Sequence, residues 1–253
     1  MNERRGYLGL DFDALALEQV ADALAARDPQ APFAYLVTPK VDHLVRLHRD
    51  SGADRETIWA AYRDADWCTC DSRIVAALAA RRGIELPVAT GSDLTALLLD
   101  RVVRAGDRIA IVGGNAGTVA ALRDRLPGVE IAHHAPPMGL RHDPAGIAAA
   151  AAFVADARAR FTFLAVGSPQ QELVAQAIAA RKDATGVALC IGAAIEFVVG
   201  ERRRAPRLLQ RLSLEWAFRL SAEPRRMWRR YLVTGPRIFL IDRRHRSGRR
   251  SGA

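Results

Sequence analysis

The segment Ile109-Ala-Ile-Val-Gly-Gly-Asn-Ala-Gly117 begins as an apolar run and ends in a glycine-rich turn. The helical pattern Thr118-Val-Ala-Ala-Leu-Arg follows it directly. A strand that ends in such a turn and opens a helix exposes backbone N–H groups and the positive end of a helix dipole. The turn at Gly113, Gly114 and Asn115 can therefore hold a diphosphate, although a tight turn without a ligand is the alternative interpretation.

The glycine spacing of this turn argues against NAD. It reads Gly-Gly-x-x-Gly, whereas the dinucleotide fingerprint is Gly-x-Gly-x-x-Gly. The next apolar run ends in His133 and His134, where a dinucleotide-binding protein carries an acidic residue. The sequence thus gives only weak support to an NAD-dependent oxidoreductase.

Outward from this segment, short β-rich runs alternate with longer alanine- and leucine-rich runs. The alternation predicts an α/β fold, with a Rossmann-like layered sheet and helices on both faces. The predicted strands are Phe33–Thr38, Asp66–Cys70, Arg108–Gly113, Glu130–His133, Phe161–Gly167 and Val187–Ile191. The predicted helices are Asp13–Ala26, Val41–Arg49, Arg55–Asp64, Ser72–Arg82, Ser92–Arg104, Ala116–Leu126, Pro144–Arg158 and Pro169–Arg181.

The net charge of +9 is unevenly distributed along the chain. Residues 1–200 carry 21 Lys and Arg against 24 Asp and Glu, whereas residues 201–253 carry 16 Arg against 4 acidic residues. We therefore predict a core over residues 1–200, a C-terminal helical basic appendage over 201–242 and a disordered basic tail over 243–253.

The appendage has the composition of an amphipathic, membrane-surface helix. Its apolar residues at helical spacing, flanked by arginines, are Leu208, Leu212, Trp216 and Leu220. Two other interpretations stay open, namely a helix packed on the core with solvated arginines and a nucleic-acid-binding arm. No apolar run is long enough to span a bilayer, and the N-terminus lacks the pattern of a secretory signal, so we expect a cytoplasmic protein.

Several polar residues follow predicted strands, where the carboxyl edge of a parallel sheet collects ligand-binding groups. Thr38 and Lys40 follow one strand and Asp71 follows the next, where position alone favours a helix cap over a general base. After a later strand, Ser168 is expected to cap a helix that begins at Pro169, and Gln171 is expected to reach a ligand. Neither a hydrolase triad nor a zinc site is indicated, and the three cysteines are expected to be reduced structural thiols.

Taken in order, several segments resemble the WecG/TagA/CpsF family of bacterial glycosyltransferases. They are Thr38-Pro-Lys-Val-Asp-His-Leu, Asp66-Trp-Cys-Thr-Cys-Asp71 with Thr90-Gly-Ser-Asp-Leu94, Ile111-Val-Gly-Gly-Asn115, Gly167-Ser-Pro-Gln-Gln-Glu172, Ile191-Gly-Ala-Ala-Ile-Glu-Phe197, Arg204-Ala-Pro206, Leu214-Glu-Trp216, Arg219-Leu220 and Glu223-Pro-Arg-Arg-Met-Trp-Arg-Arg-Tyr231. The resemblance covers about residues 30 to 240, and its ordered combination is more specific than any single piece.

The resemblance implies that Asp71 is the catalytic base of an inverting transfer rather than a cap, and that Thr38 and Gln171 contact substrate. It also implies that Arg219, Arg226 and Arg229 reach back over the active site. We expect no metal cofactor, so that backbone N–H groups and arginines would stabilise the leaving diphosphate. The chain departs from the family at Lys40, where asparagine is usual, and at Ser72, where glycine is usual. The ammonium of Lys40 indicates either an acidic or pyruvylated substrate or a different way of binding the phosphate.

The sequence therefore predicts transfer of a hexosyl group from a UDP-sugar to a polyprenyl-diphosphate-linked saccharide. The expected partners are the UDP-sugar donor, the lipid-linked acceptor and an anionic membrane surface at the inner face of the plasma membrane, without nucleic acid; homo-oligomerisation stays open. A non-catalytic module that binds a nucleotide sugar or nucleic acid is the alternative.

Overall fold

The computed structural model describes residues 3–202, 205–206, 209 and 215–250, without the side chains of residues 215, 219, 226 and 246–250. Its strands are β1 Arg4–Tyr7, β2 Leu10–Asp13, β3 Ala34–Val37, β4 Trp67–Cys68, β5 Arg108–Gly113, β6 Glu130–His134, β7 Phe161–Ala165 and β8 Val187–Cys190. β1 and β2 form an antiparallel hairpin, and the other six strands form one parallel sheet in the order β4-β3-β8-β7-β5-β6.

The helices of the core are α1 Leu17–Ala25, α2 Val41–Arg49, α3 Arg55–Arg63, α4 Arg73–Ala80, α5 Gly91–Arg101, α6 Ala116–Arg125, α7 Pro144–Ala157, α8 Gln170–Ala179 and α9 Ala194–Val198, with a 3-10 turn at Leu140–His142. The appendage contains α10 Glu215–Ala222, α11 Pro224–Trp228, a π-helical turn Arg229–Thr234 and α12 Arg237–Arg250. No helix in the described ranges is long and apolar enough to cross a membrane.

The sheet is covered on both faces, which explains why its central strands are apolar throughout. The strands Ala34–Val37 and Val187–Cys190 are buried at every position. One face packs against the β1–β2 hairpin and α2, α3, α4, α7 and α8, and the other packs against α1, α5, α6 and α9. The predicted fold class is confirmed, as are all six predicted sheet strands and the eight predicted helices, with shifted ends.

Sequence analysis missed the hairpin of β1 and β2. Tyr7 pairs with Leu10 across a two-residue loop in which Leu8 and Gly9 both have positive φ, at 49° and 81°. Such loops favour Asn-Gly, and leucine in this conformation is uncommon, so the local signal is weak. Leu8 is fully buried, and its burial offsets the backbone strain. Asp13 ends the hairpin and accepts a hydrogen bond from the backbone N–H of Cys68, which is why α1 begins later than predicted.

The appendage is anchored to the core by buried apolar residues and by polar contacts. Met227 and Ile238 are buried, the latter within the core of the α2 face. The Tyr7 hydroxyl donates to Asp242 Oδ1 at 2.6 Å, and Arg82 Nε donates to the same oxygen at 2.7 Å. The helix that carries Asp242 continues to Arg250, so the structure gives helix to part of the segment from residue 243 that the sequence predicts as a disordered tail.

Candidate active site

The carboxyl ends of the parallel strands bring the predicted site residues to one edge of the sheet. β4 and β3, which precede Asp71 and Thr38, are neighbours, and β7 and β5, which precede Gln171 and Gly114, are also neighbours. β8 separates the two pairs. Four strand spacings of about 4.8 Å put the β4 and β5 ends roughly 19 Å apart. The edge thus has two halves, one with a carboxylate and one with a glycine-rich turn.

Asp71 does not cap α4, which removes the alternative that its position favours. The hydroxyl of Ser72 accepts from Val75 N and occupies the cap position. The Asp71 side chain is 17% exposed, and its Oδ2 lies 3.9 Å from Lys40 Nζ. The ammonium of Lys40 thus lies within ion-pair distance of this carboxylate. The predicted base and the unusual lysine are therefore adjacent.

Thr38 is buried beside this pair and connects two strands. Its hydroxyl donates to the carbonyl oxygen of Cys190 at 3.1 Å, at the end of β8. A Cβ on Gly91 would approach the Thr38 hydroxyl oxygen to 3.1 Å, so α5 begins directly against this side chain. The contact of Thr38 with substrate stays a prediction.

The glycine turn contains two consecutive residues in the left-handed backbone region, and its binding of a diphosphate stays a prediction. Gly113 and Gly114 both have positive φ, at 92° and 73°. The Asn115 side chain caps α6 by accepting from Thr118 N at 2.8 Å, so its amide oxygen is engaged in the turn itself. The Thr118 hydroxyl donates to Glu201 Oε2 at 2.7 Å, which places a carboxylate at the start of this helix.

Gly113→Ala is expected to destabilise the protein and to disturb this turn. A Cβ there would lie 2.8 Å from the Val166 side chain and 2.9 Å from the Ala165 backbone, in addition to the strain of the positive φ. We expect a loss of about 2–5 kcal/mol in the free energy of unfolding, measured by denaturant titration. Gly114→Ala is the matched control, because nothing lies within 4 Å of its added Cβ and only the backbone strain remains. Equal losses for both variants would contradict the steric explanation.

Gln171 is buried, and its amide is engaged within the protein. Its Oε1 accepts from Gly192 N at 2.9 Å, and its Nε2 donates to Glu172 Oε1 at 2.9 Å. The side chain therefore holds the turn after β8 against α8, and its predicted contact with a ligand has no support from these two hydrogen bonds. Ser168 was expected to cap this helix, but Pro169 is its N-cap, because the Ser168 hydroxyl bonds Arg46 and Tyr62 instead.

The structure describes only part of the predicted set of appendage arginines, whose roles stay predictions. Arg229 is exposed, with its guanidinium 5.7 Å from the ring of Trp228. The side chains of Arg219 and Arg226 lie outside the described residues. Arg230, which sequence analysis did not select, donates from Nη2 to Asp42 Oδ1 at 2.9 Å and so contacts the helix that follows β3. The sequence signals were the place of Asp42 in the motif that contains Thr38 and the place of Arg230 in the segment Glu223–Tyr231.

Two Asp-x-Asp pairs occur in the chain, and each is used structurally. Asp13 accepts from the backbone N–H of Cys68, and Asp66 Oδ2 accepts from Tyr35 N at 3.0 Å. In the described part of the chain, no group of three or more His, Cys, Asp or Glu side chains could hold a metal ion. The three cysteines are free and buried, and burial raises the pKa of each thiol.

Fold and site together define a Rossmann-like α/β protein. It has a polar site at the carboxyl edge of its sheet and a basic helical appendage anchored to the core. The model of the glycosyl transferase WecG/TagA/CpsF family matches residues 5–252 of the chain. The chain belongs to this family and is a glycosyltransferase. The match extends the resemblance from residues 30–240 to nearly the whole chain.

Proposed function

We propose that the protein transfers a hexosyl group, with inversion, from a UDP-sugar to a polyprenyl-diphosphate-linked saccharide in bacterial polysaccharide biosynthesis. The observation that carries the proposal is the side chain of Asp71. It is partly exposed at the sheet edge, Ser72 takes the capping role that would otherwise explain it, and Lys40 lies 3.9 Å away. Such a carboxylate can accept the proton of an acceptor hydroxyl while the anomeric carbon is attacked from the face opposite the diphosphate.

The two halves of the site suit the two ends of a nucleotide sugar. In this proposal the diphosphate binds to backbone N–H groups at the Gly113–Gly114 turn and at the N-terminus of α6, and the Glu201 carboxylate beside Thr118 moves away when it binds. The sugar would then extend along the sheet edge toward Asp71. Arginines and backbone N–H groups stabilise the leaving diphosphate in this proposal, and no metal is required. Lys40 would lie near the transferred sugar or the acceptor, where its ammonium favours an acidic or pyruvylated group.

The surface of the appendage supports contact with an anionic membrane at the inner face of the plasma membrane. Large apolar side chains are exposed on it, namely Trp228, Leu232, Val233, Phe239 and Leu240. Arginines interleave with them along the same segment. Each basic residue near an anionic leaflet contributes about 1 kcal/mol, and the apolar side chains add burial in the interface. A lipid-linked acceptor would be reached from such a position.

Transfer of radiolabelled sugar from a set of UDP donors onto synthetic prenyl-diphosphate saccharides tests this proposal. We expect labelled product with at least one donor, and an increase in melting temperature with UDP-sugars but not with NAD(P). Stabilisation by UDP without transfer from any donor would instead favour the non-catalytic binding module. Affinity for DNA that falls steeply with salt would favour the nucleic-acid-binding alternative.

A further inference from the structure

The contact between Arg230 and Asp42 is the described ion pair that joins the appendage to the edge of the site. Burial alone would lower the pKa of Arg230, but the charge of Asp42 raises it above the ordinary value. Burial alone would raise the pKa of Asp42, but the neighbouring charges of Arg230 and Lys40 hold it below its usual range. Both groups are therefore charged at neutral pH, in a partly buried setting where an ion pair is screened less by solvent.

A chain of three buried or partly buried hydrogen bonds lies behind Asp42. Arg46 Nη2 lies 2.5 Å from Ser168 Oγ, Ser168 Oγ lies 2.8 Å from the Tyr62 hydroxyl, and the Tyr62 hydroxyl lies 3.0 Å from His43 Nδ1. His43 Nε2 lies 3.9 Å from Asp42 Oδ2, which is a contact longer than a hydrogen bond. These contacts connect the turn after β7 to the helix that follows β3.

Arg46 donates to Ser168, because a guanidinium can only donate. The hydroxyls of Ser168 and Tyr62 can both accept and donate, so the contacts of Tyr62 with Ser168 and with His43 are compatible with either direction. Burial lowers the pKa of His43 well below its ordinary value, so its ring is neutral at neutral pH.

The chain connects the two halves of the site. Ser168 follows β7, the neighbour of β5, whose end forms the glycine turn. Asp42 lies two residues after Lys40, the partner of Asp71, and the charge of Asp71 contributes to the raised pKa of Arg230. The appendage thus contacts the core at Asp42, close to the proposed base Asp71. The contacts behind Asp42 extend to Ser168, in the half of the site that contains the glycine turn.

We infer that Arg230 is a positioning residue for sugar transfer, which docks the appendage beside Asp71 through Asp42 and the buried chain Arg46–Ser168–Tyr62–His43. The expected effect of Arg230 on sugar transfer rests on the proposed function, whereas the docking of the appendage does not. In this inference Arg230 acts through Asp42.

Docking is tested first on the full-length protein by limited proteolysis with trypsin, followed by mass spectrometry. Asp42→Asn and Arg230→Gln are each expected to accelerate cleavage after the appendage arginines about tenfold, because opening of this segment becomes easier. Asp183→Asn is the matched control, since it removes a carboxylate that pairs with Arg181 on the exposed loop after α8. Tyr62→Phe is also expected to accelerate this cleavage, but by less than tenfold. Wild-type cleavage rates in the Asp42 and Arg230 variants would overturn the inference, and a wild-type rate in Tyr62→Phe would overturn the role of the buried chain.

A double-mutant cycle tests the kinetic part. Asp42→Asn and Arg230→Gln are each expected to lower kcat about tenfold with the KM for donor within about twofold, and the double variant is expected to resemble either single variant. Arg230→Lys keeps the charge and is expected to restore part of kcat. A loss of about a hundredfold in the kcat of the double variant, as expected for independent effects, would overturn the positioning role. A change in the KM for donor without a change in kcat would overturn it as well. Absence of transfer by the wild type would reject the proposed function, while proteolysis would still decide docking.

Discussion

Asp71→Asn is expected to reduce sugar transfer by about 10²–10⁴-fold while leaving UDP-sugar binding within about twofold of wild type. The amide keeps the shape of the carboxylate but cannot accept the proton of the acceptor hydroxyl. The diphosphate end of the donor is proposed to bind at the Gly113–Gly114 turn, four strand spacings away along the sheet edge, so donor affinity depends little on this side chain. Transfer of radiolabel and calorimetric titration with the donor measure the two quantities separately.

Ser72→Ala separates loss of the base from loss of local structure. Ser72 is the neighbour of Asp71 and caps α4, so its truncation should cost about 1 kcal/mol of stability with transfer retained. Asp71→Asn should show the reverse, with activity lost and the melting temperature nearly unchanged. Full activity in Asp71→Asn would exclude Asp71 as the base and would weaken the catalytic proposal as a whole.

Truncation after Gly200 is expected to abolish sedimentation with anionic vesicles and to remove more than 90% of transfer to lipid-linked acceptors. The deletion removes the arginine-rich surface and the exposed side chains of Trp228 and Leu232. It also removes Met227 and Ile238 from the core and the hydrogen bonds of Asp242 to Tyr7 and Arg82. Vesicles that contain about 30% anionic lipid, compared with neutral vesicles, measure the charge-dependent part of binding.

A double substitution keeps the fold intact and guards against a truncated chain that fails to fold. Trp228→Ser with Leu232→Ser removes two exposed apolar groups of the appendage, and we expect vesicle affinity to fall about tenfold or more. Met138→Ser is the matched control, because Met138 is fully exposed in the connection between β6 and α7. If the double variant binds vesicles like wild type, the appendage surface described here is not the membrane contact.

Local patterns were sufficient to predict the sheet and most helices. The strand around Ile109 is apolar because helices cover both faces of the sheet, and breakers such as Gly113 mark where it ends. The carboxyl-edge location of Asp71 and Lys40 follows from strand order in the same way, since parallel neighbours end at one edge. Motifs that combine a strand, a turn and a helix therefore carried most of the information on the fold.

Partners far apart in the sequence could not be predicted in this way. Arg230 and Asp42 are separated by 188 positions, and no local spacing connects them. Ser168 stands where a cap is expected, yet tertiary contacts from Arg46 and Tyr62 engage its hydroxyl. The Leu8–Gly9 loop lacks turn residues because burial of Leu8, rather than local propensity, stabilises it.

The hydrogen bond between Tyr7 and Asp242 joins residues 235 positions apart, near opposite ends of the described chain. During synthesis on the ribosome, all six strands of the sheet are made before Asp242 is added. A nascent chain thus contains Asp71 and the Gly113–Gly114 turn before it contains the arginine-rich, apolar surface of the appendage. Tyr7, near the start of the chain, consequently gains its hydrogen-bond partner only after nearly the whole chain has been synthesised.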